Sequence, residues 1–219
     1  IILLKRNNVN SIRTSHYPNS RDFYRLCDRY GIMVMSENNL ETHGLATRIP
    51  RSSKIWTKQC CFRMQSMVKT FRNHACILFW SLGNESGNGR AFAAMKKAAL
   101  ELDATRPIHY EPDAHIKVSD MVSEMYTKEE QMEDIANNRC HKHSQALWAP
   151  FGHLLTPSMY KNKPYIQCEY AHCMGNSLGN FEDYWKHFRA HDRLCGGYIW
   201  DFADQSIKRT SADGTVEYT

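Results

Sequence analysis

The sequence has 219 residues, of which 42% are apolar and 23% are charged, a composition that excludes an intrinsically disordered chain. Its formal net charge is +5, and the Lys and Arg residues are scattered without a dense basic run, so we expect no nucleic-acid partner. The apolar runs are too short to cross a bilayer and no N-terminal signal pattern is present, so we expect no membrane partner.

Short apolar runs alternate along the chain with helical patterns. Asn19 and Ser20 can cap a first helix that Gly31 ends, and a longer helix from about residue 54 to residue 71 carries one apolar stripe that includes Trp56. Further helices are predicted at 91–103, 128–137 and 180–191. The predicted strands are 9–17, 32–38, 76–82, 107–111, 119–126, 164–169 and 195–202. Seven strands that alternate with helices predict an α/β fold with parallel strands and right-handed crossovers.

Eight cysteines form no CxxC pair, and several of them lie in apolar runs, as Cys76, Cys168 and Cys195 do. This usage predicts buried free thiols in a reducing compartment, and we therefore expect a cytoplasmic protein. The first ten residues contain no Met, and we expect the sequence to be a fragment.

Two parallel architectures compete for this pattern. A doubly wound sheet usually carries a glycine-rich phosphate loop after its first strand, and none is present. A (β/α)8 TIM barrel places polar, reactive residues at the C-terminal ends of many strands. Such residues follow every predicted strand: Arg13, His16, Glu37, Asn39, Asn84, Glu85, Glu111, Tyr126, Glu169, His172, Trp200 and Asp201. We therefore predict a TIM barrel, of which seven of the eight strands can be counted.

Two of these polar residues are glutamates that follow apolar strands in the same way. The stretch "LFWSLGNESGNG" delivers Glu85, and "YIQCEYAHCMGNS" delivers Glu169. In a barrel both side chains would point into one mouth, and two carboxylates across a sugar ring are the equipment of glycoside hydrolysis. The alternative is that each is an ordinary surface glutamate.

Five stretches of the chain resemble the catalytic domain of glycoside hydrolase family 2, most of all its bacterial β-galactosidase branch. They are "NNVNSIRTSHYPN", "LCDRYGIMVMSENNLETHG", "FWSLGNESGNG", "PYIQCEYAHCMGNSLGNF" and "GGYIWDFADQS". The resemblance covers almost the whole chain and implies a barrel that hydrolyses β-galactosides with retention of configuration. Other branches, the β-glucuronidases and β-mannosidases, share the two glutamates and remain an alternative.

The resemblance also implies a role for each candidate residue. Glu85 matches the general acid/base and Glu169 the nucleophile, while Arg13 is a candidate donor that would keep the nucleophile ionised. The positions that match sugar-contacting or supporting groups are Asn84 at the 2-hydroxyl, Tyr126 on the nucleophile, His16 and His172 on the sugar, and Trp200 as an aromatic wall. Without the resemblance, Asn84 could be a turn former, the histidines structural residues and Trp200 a core residue.

The stretch "ETHG" is the metal candidate. By the resemblance, Glu41, His43 and Glu85 hold an active-site Mg²⁺, and this mixture of carboxylate and imidazole is also compatible with Mn²⁺. A Glu-x-His spacing alone would be a weak signal.

The resemblance also sets expectations for the whole domain. Residues 1–219 form one catalytic barrel domain that is truncated at both ends, with its first strand missing. The full-length enzyme would have a sodium site and form a homo-oligomer. The isolated fragment would be inactive, and a non-catalytic sugar-binding segment is the alternative from a different class of function.

Overall fold

The protein is described by a computed structural model that covers residues 1–143, 154–173, 178–203 and 206–218. Parts of two quoted motifs, residues 174–177 and 204–205, lie outside the described residues. In the described parts of the chain, no helix is both long enough and apolar enough to span a bilayer.

The first half of the chain builds a four-stranded parallel sheet. Its elements are helix α1 (Ile2–Arg6), strand β1 (Ser11–Arg13), α2 (Arg21–Tyr30), β2 (Met33–Glu37), a 3₁₀ turn (His43–Leu45), α3 (Lys54–Phe71), β3 (Ile77–Asn84), α4 (Arg90–Leu100) and β4 (Ile108–Glu111). The strand order is β1-β2-β3-β4, and every neighbouring pair is parallel. A helix lies in the connection between each strand and the next, as expected of βαβ units.

The second half continues the same alternation in a three-stranded parallel sheet. Its elements are β5 (Val122–Met125), α5 (Glu129–Ala136), β6 (His141–Lys142), β7 (Leu154–Leu155), α6 (Pro157–Tyr160), β8 (Tyr165–Tyr170), α7 (Phe181–Ala190), β9 (Leu194–Ile199), β10 (Lys208–Thr210) and β11 (Val216–Tyr218). The sheet order is β5-β8-β9, while β6-β7 and β10-β11 are antiparallel pairs. All seven predicted core strands and all five predicted helices are therefore present.

An interior apolar cluster joins the two sheets. Met35 of β2, Met121 just before β5, Ile166 of β8 and Tyr198 of β9 are buried together. Tyr198 also lies with its Oη 3.0 Å from the Oγ of Ser11, which connects β9 to β1. The strands thus surround a filled interior with the helices outside, which is how a barrel core is packed.

Local signals in the sequence fix the helix ends and faces. The Ser20 Oγ accepts the first-turn amide of Phe23 at 3.3 Å, and Gly31 ends α2 with φ +67°, as both residue types predict. The apolar stripe of α3 is buried, but Trp56 is 43% exposed because it lies in the first turn, beyond the part of the helix that contacts the core.

All eight cysteines are free thiols, as predicted. Cys76 and Cys168 are buried, whereas Cys195 is exposed, contrary to the prediction. Successive side chains of a strand point to opposite faces. In β9 Leu194 and Tyr198 are buried, whereas Cys195, next to Leu194, points to the other face and is exposed.

Candidate active site

Arg13 connects the ends of three strands that belong to both sheets. Its Nη1 donates to Glu169 Oε1 at 2.8 Å and to the Cys168 carbonyl at 3.2 Å, and its Nη2 donates to Asn84 Oδ1 at 2.8 Å. Arg13 is the last residue of β1 and Asn84 the last of β3, while Glu169 lies near the end of β8. Because parallel strands end on the same side, one guanidinium is able to hold residues that are far apart in sequence.

Glu37, at the end of β2, holds Arg13 in place. The Arg13 Nε donates to Glu37 Oε2 at 2.8 Å and Nη2 to Oε1 at 3.1 Å, and the Ser81 hydroxyl donates to Oε2 at 2.7 Å. Burial alone would raise the pKa of Glu37, but the Arg13 charge and a hydrogen bond to His16 lower it to about 2. Burial likewise opposes the charge of Arg13, yet the neighbouring acids raise its pKa. The pair is therefore fully ionised at neutral pH.

The carboxylate of Glu169 receives a donor on each oxygen. Arg13 donates to Oε1, and the phenol of Tyr126 donates to Oε2 at 2.9 Å. Burial and the charge of Glu169 raise the pKa of Tyr126, so the phenol keeps its proton and stays a donor. A cationic and a neutral donor on the two oxygens are suited to an ionised, oriented carboxylate.

Glu85 is presented by a tight turn at the end of β3. Its backbone has φ +39°, which is uncommon outside glycine and costs roughly 1–3 kcal/mol, and its amide donates to the Glu111 carbonyl at 3.1 Å. Gly87 has φ +67°, and a Cβ placed there would lie 2.3 Å from the Ala46 carbonyl oxygen. The glycine is therefore required for the turn to pass close to the loop that carries His43.

Glu41, His43 and Glu85 form a group with the donor set of a cation site. One ligand atom from each residue lies within 4.8 Å of the others, and His43 Nδ1 is 2.6 Å from Glu85 Oε2. The Asn84 amide donates to Glu41 Oε1 at 3.2 Å, which orients that carboxylate. Two carboxylates and one imidazole fit a hard divalent cation that keeps several waters.

Aromatic rings and imidazoles line the rest of the site. The ring of His16 stacks on the half-buried Trp200, with centroids 5.0 Å apart and planes at 18°, while His16 Nδ1 lies 2.8 Å from Glu37 Oε1. His172 lies beside Tyr126, with ring centroids 6.1 Å apart. Trp200 is thus half-buried beside His16, and its role as an aromatic wall stays a prediction.

The structure brings together every site residue that the sequence singles out. Arg13 contacts both Glu169 and Asn84, and Asn84 contacts Glu41 of the group that contains Glu85, so both glutamates belong to one connected set of side chains. Their roles, and a carboxyl separation of about 5–5.5 Å, stay predictions.

A buried hydrogen-bond network behind the candidate active site was not assigned a role from the sequence. His109 lies with Nδ1 2.9 Å from Ser81 Oγ and Nε2 2.8 Å from Ser123 Oγ, so it continues the hydrogen bonds of Glu37 inward. Burial, together with the Arg13 charge, lowers the pKa of His109 to about 3, and the ring is neutral. The only sequence signal for this hydrogen-bond network is that Glu37 and His109 interrupt apolar strands.

The whole chain is similar to one catalytic domain family. Residues 1–218 match the family described as glycosyl hydrolases family 2, TIM barrel domain. A β-galactosidase of Klebsiella pneumoniae is 43% identical over 218 residues, which is 99% of this chain and 20% of that protein. The β-galactosidase BgaC of Bifidobacterium adolescentis is 40% identical over 229 residues, with the same two coverages. The chain thus spans about one fifth of the length of these curated relatives.

Solved structures show the same fold at lower identity. The Faecalibacterium prausnitzii β-glucuronidase superposes with a TM-score of 0.65 at 22% identity, covering 97% of this chain and 39% of that one. A β-galacturonidase from Eisenbergiella tayi bound to galacturonate gives a TM-score of 0.62 at 21% identity, covering 92% of this chain and 38% of that one. These likenesses establish the fold alone.

Proposed function

This chain belongs to glycosyl hydrolase family 2, and from that membership we propose that the protein carrying it is a retaining exo-β-galactosidase that removes terminal β-D-galactosyl residues. The observation that carries the proposal is the unequal setting of the two glutamates. Glu169 is held by Arg13 and Tyr126, whereas the hydrogen-bonding side chain described for Glu85 is that of the exposed His43.

In the first step, the Glu169 carboxylate attacks the anomeric carbon and Glu85 gives its proton to the departing glycosidic oxygen. A galactosyl ester of Glu169 forms and the aglycone leaves. The Tyr126 phenol and the Arg13 guanidinium fix the direction of the attacking carboxylate. When the ester forms, the negative charge of Glu169 that Tyr126 and Arg13 stabilise is lost. The same two donors therefore favour the later release of Glu169 as a carboxylate.

In the second step, Glu85 takes a proton from water, and the resulting hydroxyl attacks the anomeric carbon. The bond to Glu169 breaks, and the sugar leaves with its original configuration after two inversions. Asn84 would contact the sugar 2-hydroxyl through the amide that now donates to Glu41. Trp200 would pack on the apolar face of the sugar, beside His16, whose ring is stacked with that of Trp200.

Glu41, His43 and Glu85 would hold Mg²⁺, or Mn²⁺, whose charge would polarise and position the groups around the acid. Chelation of the full-length protein should lower its activity, and added Mg²⁺ should restore it. No response to either treatment would contradict the metal assignment without touching the roles of the glutamates.

The choice of galactosides rests on the names of the relatives at 40–43% identity. The full-length protein should therefore be tested on aryl β-galactoside, β-glucuronide and β-mannoside. We expect the galactoside to be turned over fastest, and a faster glucuronide or mannoside would move the proposal to another branch of the family.

A matched pair of variants tests the site itself. Glu169→Gln should abolish turnover and leave sugar binding largely intact, because the amide keeps the shape without the nucleophilic charge. Glu182→Gln makes the same change at an exposed acid of α7 and should be silent. Wild-type turnover in Glu169→Gln would refute its assignment.

A further inference from the structure

Two outer helices carry a second group of metal-binding side chains. Glu133 lies on α5, His187 lies on α7, and His191 follows the last residue of α7. One ligand atom of each lies within 4.8 Å of the other two. Within the described residues this group and the Glu41–His43–Glu85 group are the ones with such an arrangement.

The position of the group separates it from the candidate active site. Strand β5 ends beside Tyr126 at the mouth, and α5 runs back from there to its last turn, where Glu133 lies. His191 comes just before β9 begins. The group is therefore on the outside of the strands, toward the end opposite the glutamate-bearing mouth.

The spacing of the donor atoms fits a small tetrahedral ion. Glu133 Oε2 lies 3.3 Å from His187 Nδ1 and 3.1 Å from His191 Nε2. Bonds of about 2.0–2.1 Å from one tetrahedral Zn²⁺ would separate two ligand atoms by about 3.3–3.4 Å. His187 lies in the last turn of α7 and His191 is the residue that follows the helix, and each turns a ring nitrogen toward Glu133 Oε2.

The surroundings orient these side chains. The Asn137 amide donates to Glu133 Oε1 at 2.6 Å, and Glu133 Oε2 faces the two histidines. The other nitrogen of His187 faces Glu129 Oε2 at 4.0 Å. A hydrogen bond behind a ligand, like that from Asn137 to Glu133, is typical of metal centres because it fixes the orientation of the ligand.

The helices that carry the group are packed by a shared apolar core. Met132 and Ile135 of α5 and Phe188 of α7 are buried in one cluster. Glu133 is next to Met132, and His187 is next to Phe188, so the core sets the distance between the carboxylate and the imidazole. The three polar side chains are themselves half-buried and accessible from solvent.

We propose that Glu133, His187 and His191 form a Zn²⁺ site that clamps α5 to α7 on the outside of the barrel. Two imidazoles and one carboxylate are a nitrogen-rich donor set that favours Zn²⁺, whereas Mg²⁺ favours sets richer in oxygen, such as the two carboxylates and one imidazole of the Glu41–His43–Glu85 group. The three ligands leave a fourth position for water. The bound ion would link α5, which follows Tyr126, to α7, which follows the strand that contains Glu169.

The test is a Zn²⁺ competition titration of the full-length protein against a chromophoric chelator, with thiols alkylated and Mg²⁺ in excess. Glu133→Gln and His191→Gln should each bind one fewer equivalent of Zn²⁺, or bind it at least about tenfold more weakly. Glu130→Gln makes the same charge change at an exposed position of α5 and should keep the wild-type stoichiometry.

Co²⁺ gives an independent readout, because a tetrahedral nitrogen and oxygen site has intense visible bands. Those bands should appear in wild type and Glu130→Gln and be missing in Glu133→Gln and His191→Gln. Equal Zn²⁺ binding in all four proteins, or equal loss in Glu130→Gln, would overturn the proposal. Circular dichroism shows whether each variant is folded. If either Glu133→Gln or His191→Gln fails to fold, the result is taken from the other of these two variants.

Discussion

Replacing Glu37 by Gln would test whether the ion pair behind the site is what holds Arg13. The amide keeps the shape of the side chain and removes the charge that faces Arg13 Nε and Nη2 at 2.8 and 3.1 Å. Arg13 would stay buried with Glu169 as its remaining close carboxylate partner.

The size of the effect follows from the pKa of Glu37. A carboxyl group whose pKa falls from 4.5 to about 2 on folding stabilises the folded state by about 3 kcal/mol at neutral pH. Removing one partner of a buried ion pair costs a similar amount, roughly 3–5 kcal/mol. Because the folded pKa is depressed, this stabilisation is complete above pH 4.5 and is lost as the pH falls toward 2.

Hydrogen exchange followed by mass spectrometry on the full-length protein measures this locally. In β2 and β3, Glu37→Gln should lower amide protection at pH 7 by roughly 100-fold, which corresponds to about 3 kcal/mol. Near pH 3 the free-energy difference from wild type should shrink to about half, which is roughly a tenfold difference in protection. Glu101→Gln, an exposed acid after α4, should leave protection unchanged. A loss below about threefold at pH 7, or one that does not depend on pH, would refute the reasoning.

Three further substitutions address other parts of the site and fold. Tyr126→Phe removes a hydrogen bond, worth roughly 1.5–3 kcal/mol, to the Glu169 carboxylate as it departs from the sugar in the second step. That step should slow, so kcat on an aryl β-galactoside should fall about 10- to 150-fold, and a fall below about threefold would contradict this. Gly87→Ala should lower turnover and the amide protection of residues 83–89, because its Cβ would lie 2.3 Å from a backbone oxygen, whereas Gly44→Ala meets nothing within 4 Å and should be silent. Ser20→Ala should reduce the protection of the first turn of α2 by about 1 kcal/mol, and unchanged exchange there would show that the cap is not needed.

The elements and the site residues could be predicted where the signal is local. Ser20 and Gly31 mark the ends of α2 by their own chemistry, and apolar runs of strand length identified the seven core strands. The same runs were enough to predict that Glu85 and Glu169 lie at the ends of strands, and that they share a cleft stays a prediction.

What the sequence does not reveal is set by contacts between distant residues. Glu37 matters because Arg13 and Ser81 reach it from two other strands, and nothing near Glu37 in the sequence encodes that. The outer group is similar, since His187 and His191 are 54 and 58 residues from Glu133, and only the packing of α5 on α7 brings them together.

The most direct measurement of the central claim is to trap the covalent intermediate on the full-length protein. A 2-deoxy-2-fluoro-β-galactoside with a good leaving group should inactivate it by forming a stable glycosyl ester, and peptide mass spectrometry should find that sugar on Glu169. A label on another carboxylate, or turnover of the reagent to a product of inverted configuration with no covalent adduct, would contradict the assignment of Glu169 as the nucleophile of a retaining enzyme.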